Sequence, residues 1–338
     1  MRTSEPAALE NRIAAYLRAS PAFAALPGAS PGAPLAVSFL AQGEYNANYL
    51  IETGGARLVF RINFGSQLGL ADQISYEYAA LAAVAPSGVT PRPHFADPAP
   101  EGLPGGVLLM EYLPGRALDY RTDLEKAGRT FARIHALAPS DALIAQTDPV
   151  ADIAAESLRL LRRFPDHPRR DVLDDLLAYH ERVTALGLEN QAFFRAEAPV
   201  MVNTEVNSGN FLVEGETARL VDWEKAAVSS RYQDLGHFVC PTTTLWKTGL
   251  TLDQEAIGRF LRAYAAELDA LGAGSPRLAD LTRGTALLSK VIVLRGLSWC
   301  YMAWHEYAVS ERTLKNPGVF SVIERYLDNR RCFLPAAT

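Results

Sequence analysis

Three apolar runs of strand type follow one another near the start of the chain: LAVSFLAQ, ANYLIET and ARLVFRIN. The second and third are joined by Thr53-Gly54-Gly55, a link so short that the two must fold back on each other as a hairpin. A helical period follows in ADQISYEYAALAAVA and stops at the Pro- and Gly-containing SGVTPRP. A further hairpin-like pair, PHFADP and GVLLMEYL, runs into Pro114-Gly115. From DLEKAGRTFARIHAL onward the pattern is mainly helical, interrupted once by VMVNTEVNSGNFLVEGETARLVDWE. No internal repeat or low-complexity tract breaks this order. It predicts an α+β fold: a small antiparallel sheet with one helix, a Pro-Gly connection, then a larger helical part holding one short hairpin. With 338 residues the chain is too long for one small core, so two lobes are expected.

The N-terminal stretch TSEPAALENRIAAYLRAS is charged and sets Leu9, Ile13, Tyr16 and Leu17 on one helical face. It reads as an amphipathic helix, not a targeting segment. The most apolar later stretch, ALLSKVIVLRGLSWCYMAW, contains Lys290 and Arg295, which are costly in a membrane span, so a buried helix is expected. A net charge of −5 argues against a nucleic-acid partner. Cys240, Cys300 and Cys332 are odd in number, widely spaced and in no metal-ligand pattern. They indicate a reducing compartment without a disulfide framework. The expectation is a cytoplasmic protein with no nucleic-acid or membrane partner; its oligomeric state is left open.

The interruption at Met201 is unusual in its chemistry. MVNTEVNSGNFLVEG collects Asn203, Glu205, Asn207 and Asn210 beside apolar runs, and Asp222 follows in ARLVDWEK. Asparagine and glutamate are poor strand residues and are rarely buried without partners. Taken alone, NSGN is an ordinary hairpin turn; with Asp222 and the upstream sheet, it becomes a loop whose oxygens serve chemistry.

The order of elements together with this loop resembles the aminoglycoside phosphotransferase and choline kinase-like family, relatives of the protein kinases, over roughly residues 38 to 240. Where the family's catalytic loop reads His-Gly-Asp, four residues, then Asn, this chain has Asn203-Thr204-Glu205 and then Asn210. Val221-Asp222-Trp223-Glu224 matches the family's metal-binding strand, and Asp234-Leu235 its Asp-Leu pair supporting the catalytic loop from a helix start. The resemblance implies a protein-kinase-like two-lobe fold: a nucleotide-binding lobe over 1–110, a hinge at 111–115, and a helical lobe over 116–338 with catalytic loop and acceptor site.

It also implies an ATP- and Mg²⁺-dependent transfer of the γ-phosphate to the hydroxyl of a small-molecule acceptor. Magnesium takes hard oxygen ligands, here Asn210 and Asp222, and phosphoryl transfer needs mainly positioning and charge neutralisation. Glu205 would accept the proton of the acceptor hydroxyl or hold that hydroxyl in line, with Asn203 and Asp222 completing the catalytic group. The family's aspartate is replaced by glutamate and its histidine by asparagine, which keeps a carboxylate but lengthens its arm by about one bond, ~1.5 Å. Gly43 and Asn46, in the turn LAQGEYNANY, would approach phosphate oxygens. Arg61 takes the place of the kinases' phosphate-pairing lysine, with Glu77 as the partner orienting it. Glu111 and Leu113 lie at the hinge, whose backbone would meet adenine. Two alternatives stay open: a catalytically impaired nucleotide-binding module, and nucleotidyl transfer from the same pocket.

The acceptor is not legible. RLLRRFPDHPRR could steer an anion and DVLDDLLAYHE a cation, but both read first as solvated helix faces. Trp299, Tyr301, Trp304, His305 and Tyr307 could line a pocket, but read first as core. His135 is expected to pack or cap.

Overall fold

The structure, a computed structural model, describes residues 5–27, 29, 32–43, 45–309 and 317–334. Glu44, within the phosphate-turn stretch, lies outside them. Helix α1 (Glu5–Ala19) and the short α2 (Pro21–Ala24) precede strands β1 (Leu35–Gln42), β2 (Asn46–Thr53) and β3 (Ala56–Asn63). Helix α3 (Gln73–Val84), β4 (Pro93–Asp97) and β5 (Val107–Glu111) complete an antiparallel sheet of order β1-β2-β3-β5-β4. The Gly54-Gly55 hairpin forms with both glycines at positive φ, 52° and 83°, as a two-residue turn of this kind requires.

The two faces of the sheet have different partners. On one, α1 lays Leu9, Ile13 and Leu17 against Tyr49, Ile51, Phe60 and Val107, and all of these are buried. Tyr16 adds a hydrogen bond from its hydroxyl to Asp97, at 2.8 Å. The face expected from the sequence period is therefore the one that packs. On the other side, Ile74, Leu81 and Val84 of α3 join Leu108 and Met110 in the main core of the molecule.

Past the sheet the chain crosses at Gly115, whose φ is 146°. A Cβ there would stand 3.0 Å from both the backbone N and O of Val213, so the crossing admits only glycine. Strand β6 (Arg116–Ala117) then pairs with β8 (Phe211–Glu214), which pairs with β9 (Thr217–Leu220). The β8–β9 pair is the expected short hairpin. Strands β7 (Val200–Val202) and β10 (Ala227–Ser229) form a second small sheet that brackets it.

Helices α4 (Leu124–His135), α5 (Pro149–Arg162), α6 (Arg170–Arg195), α7 (Tyr232–Val239), α8 (Pro241–Thr248), α9 (Gln254–Ala270), α10 (Leu278–Ala308) and α11 (Pro317–Asp328) make up the rest. Helix α10 is long and apolar enough to cross a membrane, yet 67% of its most apolar window is buried inside the protein. Its Arg295 is buried against Glu156 of α5, while Lys290 faces outward. Tyr301 and Tyr307 are buried and Trp299 and Trp304 partly so, packed with the main core as expected. In the arginine-rich segment, Arg163 pairs with Glu306 at 2.9 Å and Arg169 with Asp328 at 2.5 Å. Cys240 and Cys300 are buried free thiols and Cys332 is an exposed one.

Candidate functional site

The loop after β7 is fixed from below. Asp234, fully buried in the first turn of α7, accepts hydrogen bonds from the backbone N–H of Asn203 at 2.9 Å and of Thr204 at 2.8 Å. His135 stands behind it, with Nε2 3.3 Å from the Asp234 carboxylate and Nδ1 3.0 Å from the Tyr264 hydroxyl. Burial lowers the His135 pKa, so the neutral ring donates to Asp234 and accepts from Tyr264. Packing and support describe His135, as the sequence suggested.

Thr204 has φ 70°, a left-handed conformation that a β-branched residue adopts only under constraint. Its carbonyl accepts from Arg295 Nη1 at 3.0 Å and from His237 Nδ1 at 2.7 Å, and its hydroxyl donates to the Lys225 carbonyl at 2.9 Å. Burial, and then the charge of Arg295, push the His237 pKa down to about 3, so this ring is a neutral donor.

Asp222 was expected on a strand, but β9 ends at Leu220, and Asp222 sits in the following loop at φ 68°. The turn lifts its carboxylate out of the sheet. Asn203 couples this turn to the catalytic-type loop: its Nδ2 donates to the Asp222 carbonyl at 2.7 Å, and its Oδ1 accepts from the Glu205 N–H at 3.2 Å. With its side chain fully buried and both amide ends engaged, Asn203 positions its neighbours and does not face solvent. Trp223 is buried below, donating to the Leu220 carbonyl at 3.1 Å.

Arg61, on β3, joins the sheet to this loop. Its Nη1 contacts the Glu77 carboxylate and lies 2.9 Å from Asp222 Oδ1, while Nε donates to Asn48 Oδ1 at 2.9 Å. Arg61 and Glu77 are buried and Asp222 is one-third exposed, so the expected Arg61–Glu77 pair forms beneath the surface. Burial opposes charge on Arg61, but Glu77 and Asp222 outweigh it and raise its pKa.

The remaining carboxylates gather around the same point. Glu205, partly exposed, places Oε1 3.2 Å from Lys225 Nζ. Asn210 Nδ2 donates to the Glu205 carbonyl at 3.0 Å, which turns Asn210 Oδ1 away from that bond. Glu224 receives a hydrogen bond from Asn46 Nδ2 and one from Gln67 Nε2 at 3.3 Å, and Gln73 Nε2 donates to its backbone oxygen at 2.7 Å. Burial, and then the charges of Asp222, Glu205 and Glu77, raise its pKa well above the usual carboxylate range. Glu77, Glu205, Asp222 and Glu224 thus crowd around Arg61 and Lys225; burial raises the Glu77 pKa to about 7 as well as that of Glu224, and a bound cation would favour the ionised form of both. The oxygens of Asn210 and Asp222 are hard ligands of the kind magnesium takes.

In the turn between β1 and β2, Asn46 is buried, with its amide committed to Glu224 and its Oδ1 accepting from Asn63 at 2.8 Å. Gly43 donates its N–H to the Asn46 carbonyl at 2.9 Å, and a Cβ there would meet nothing closer than 3.9 Å. Nothing within the described chain therefore requires glycine at 43. At the hinge, Glu111 pairs with Arg92 at 3.2 Å and lines a groove of about 430 Å³ together with Thr90, Tyr112, Leu113 and Arg219. Leu113 is buried, yet among the described residues neither its N–H nor its C=O makes a backbone hydrogen bond.

Lys225, Glu156 and His237 were not named from sequence, while Glu224 was named only within the Val221–Glu224 match and Arg295 only as costly in a membrane span. Lys225 and Glu224 adjoin Asp222 in DWEK and were within reach of that motif. Glu156 and Arg295 come from distant helices, and no local spacing announces them.

The profile of the Phosphotransferase enzyme family matches residues 36–280. The chain belongs to that family. The expectation of a phosphotransferase acting on small molecules is met at that level. Choline kinase from Cryptosporidium parvum superposes with a TM-score of 0.61 at 13% identity, over 96% of this chain and 95% of that one. A choline/ethanolamine kinase family protein from Mesorhizobium loti gives 0.58 at 20% identity, over 96% of each. A spectinomycin phosphotransferase in complex with ADP and spectinomycin gives 0.53 at 11% identity, over 87% of this chain and 88% of that one. These likenesses establish the kinase-like fold. No curated protein sequence matches.

Proposed function

We propose that this phosphotransferase uses ATP with magnesium and moves the γ-phosphate to a hydroxyl of a small molecule. The observation that carries the reading is the meeting of Arg61, Asp222, Asn210 and Glu205 at one carboxylate-rich point, where Glu77, Glu205, Asp222 and Glu224 crowd around Arg61 and Lys225. The acceptor oxygen attacks the γ-phosphorus, the bond from phosphorus to ADP breaks, and the hydroxyl proton passes to the Glu205 carboxylate. Arg61, oriented by Glu77, presents a guanidinium to phosphate oxygens. Leu113 offers backbone groups to adenine. Asn210 and Asp222 would hold magnesium, which neutralises phosphate charge when bound. The ADP complex of one structural neighbour and the choline, ethanolamine and aminoglycoside kinases among the others support a nucleotide donor and a small hydroxyl acceptor.

The test is incubation with γ-labelled ATP, Mg²⁺ and a panel containing choline, ethanolamine, spectinomycin and other small alcohols, read by product mass. The expected result is a labelled monophosphate ester from the wild type and none from Asp222→Asn, whose fold survives. A nucleotidylated product with release of pyrophosphate would replace this reading by nucleotidyl transfer, and failure to bind nucleotide would remove it.

A further inference from the structure

We propose that Lys225 is a positioning residue for the transfer, setting the Glu205 carboxylate for the acceptor hydroxyl; this rests on the reading of Glu205 as proton acceptor. Lys225 is 6% exposed, and its Nζ lies 3.2 Å from Glu205 Oε1 and 3.2 Å from Glu156 Oε1. A lysine so buried is costly unless paired, and these two carboxylates supply the pairing. They are not equivalent. Glu156 is spent on both oxygens, Oε1 toward Lys225 and Oε2 toward Arg295 Nε at 3.2 Å. Lys225 donates a hydrogen bond to Glu156 and meets Glu205 Oε1 as an ion pair, and the partly exposed Glu205 carboxylate accepts no hydrogen bond among the described residues.

The lysine is itself anchored to the loop it serves. Its carbonyl accepts from the Thr204 hydroxyl, and Arg295, held by Glu156, donates to the Thr204 carbonyl. Glu156 thus holds both cationic groups, while Thr204 holds the Arg295 guanidinium and the Lys225 backbone. The result is an ammonium at a fixed point beside a partly exposed carboxylate that a substrate can reach.

This arrangement also accounts for glutamate where the family carries aspartate. Shortening the arm by about one bond, ~1.5 Å, would draw the carboxylate out of contact with Nζ. The choice of Glu205 and the presence of Lys225 are then one feature.

The test is a mutant cycle with steady-state kinetics, using MgATP and the most strongly labelled acceptor of the panel, with water as a second acceptor read by ADP release. Lys225→Met should lower kcat about tenfold or more, with KM for ATP within about twofold of wild type. Glu205→Gln should lower kcat by about 10² or more, and the double variant should be no slower than Glu205→Gln alone, because Lys225 acts only through that carboxylate. Lys225→Arg, which keeps a cation, should recover part of the rate and serves as the second variant if Lys225→Met melts without an ATP-dependent shift. Wild-type kcat in Lys225→Met, losses that multiply in the double variant, or Lys225→Arg no faster than Lys225→Met would each overturn the proposal. Wild-type turnover in Glu205→Gln would instead overturn the assignment of Glu205 and so the reading beneath.

Discussion

At the scale of single residues, the cost of the site is concentrated in two non-glycine residues at positive φ, Thr204 and Asp222. Conformations of this kind cost about 1–3 kcal/mol each and persist only where the surroundings over-determine them. Asp234, His237, Arg295 and Lys225 do so for Thr204, and Asn203 does so for Asp222. Arg61 is the residue whose loss should cost stability and nucleotide binding together. Removing it leaves Glu77 buried with its counter-charge gone, an arrangement that costs about 3–5 kcal/mol when one partner of a buried pair is deleted. Arg61→Ala should therefore lower the urea midpoint and weaken ATP binding together. Arg61→Lys keeps the charge but loses the fork toward Glu77, Asp222 and Asn48, so it should retain most of the stability and only part of the rate. Unfolding curves and KM for ATP check both; an Arg61→Ala protein with wild-type affinity for ATP would return Arg61 to a structural role.

Between elements, the decisive link is the tie of α5 to α10 and to the Asp222 loop through Glu156. Burial would raise the Glu156 pKa, but Arg295 and Lys225 outweigh it and bring it from 4.5 down to about 2. A carboxyl depressed on folding contributes stability that is fully present above its unfolded pKa and is lost as pH falls through the folded value. The window is thus from about pH 4.5 down to about 2, and the contribution at neutral pH is at most about 3 kcal/mol. Glu156→Gln should be less stable than wild type at pH 7, and the gap should narrow at pH 3; a gap independent of pH would mean the ion pairs contribute nothing. This link is also where reading from sequence stops. The strands, the Gly54-Gly55 hairpin, the α1 face and the Asp234 support were legible because each is encoded by local period or by a motif of fixed spacing. Arg61 with Glu77 was legible through family resemblance. Glu156 and Arg295 were not, because a buried arginine and a half-buried glutamate inside helical periods look like any other charged positions until the helices are packed. The end of β9 before Asp222 was missed for a different reason: LVDW has strand character, and its turn is held by the Asn203 bond, the Arg61 pair and the Val221 N–H on the Asn210 carbonyl, all partners distant in sequence.

Across the whole molecule, several polar bonds from the sheet, α3 and the loop after it meet the chain at residues 220–226. Val89 accepts from the Leu220 N–H at 2.8 Å, Arg61 meets Asp222, Asn46 and Gln73 meet Glu224, and the Tyr76 hydroxyl donates to the Ala226 carbonyl at 2.5 Å. A ligand that engages Asp222 therefore acts on the joint between the two parts and not on one of them alone. The same segment carries the Asp222 carboxylate, so nucleotide phosphates should be poorly received there without a cation. ATP with Mg²⁺ at about 100-fold over its Kd should add roughly 2.7 kcal/mol to unfolding stability. ATP with a chelator should add clearly less, since its phosphates then meet the Asp222 carboxylate without neutralisation. Asp222→Asn should narrow the difference between these two conditions, because it removes the negative charge from the one carboxylate of the two groups assigned to the metal. Thermal melts of wild type and variant in the four combinations of nucleotide and metal decide it: a melting point unmoved by millimolar ATP with Mg²⁺ would sink the nucleotide assignment, and an equal rise with chelator would sink the metal.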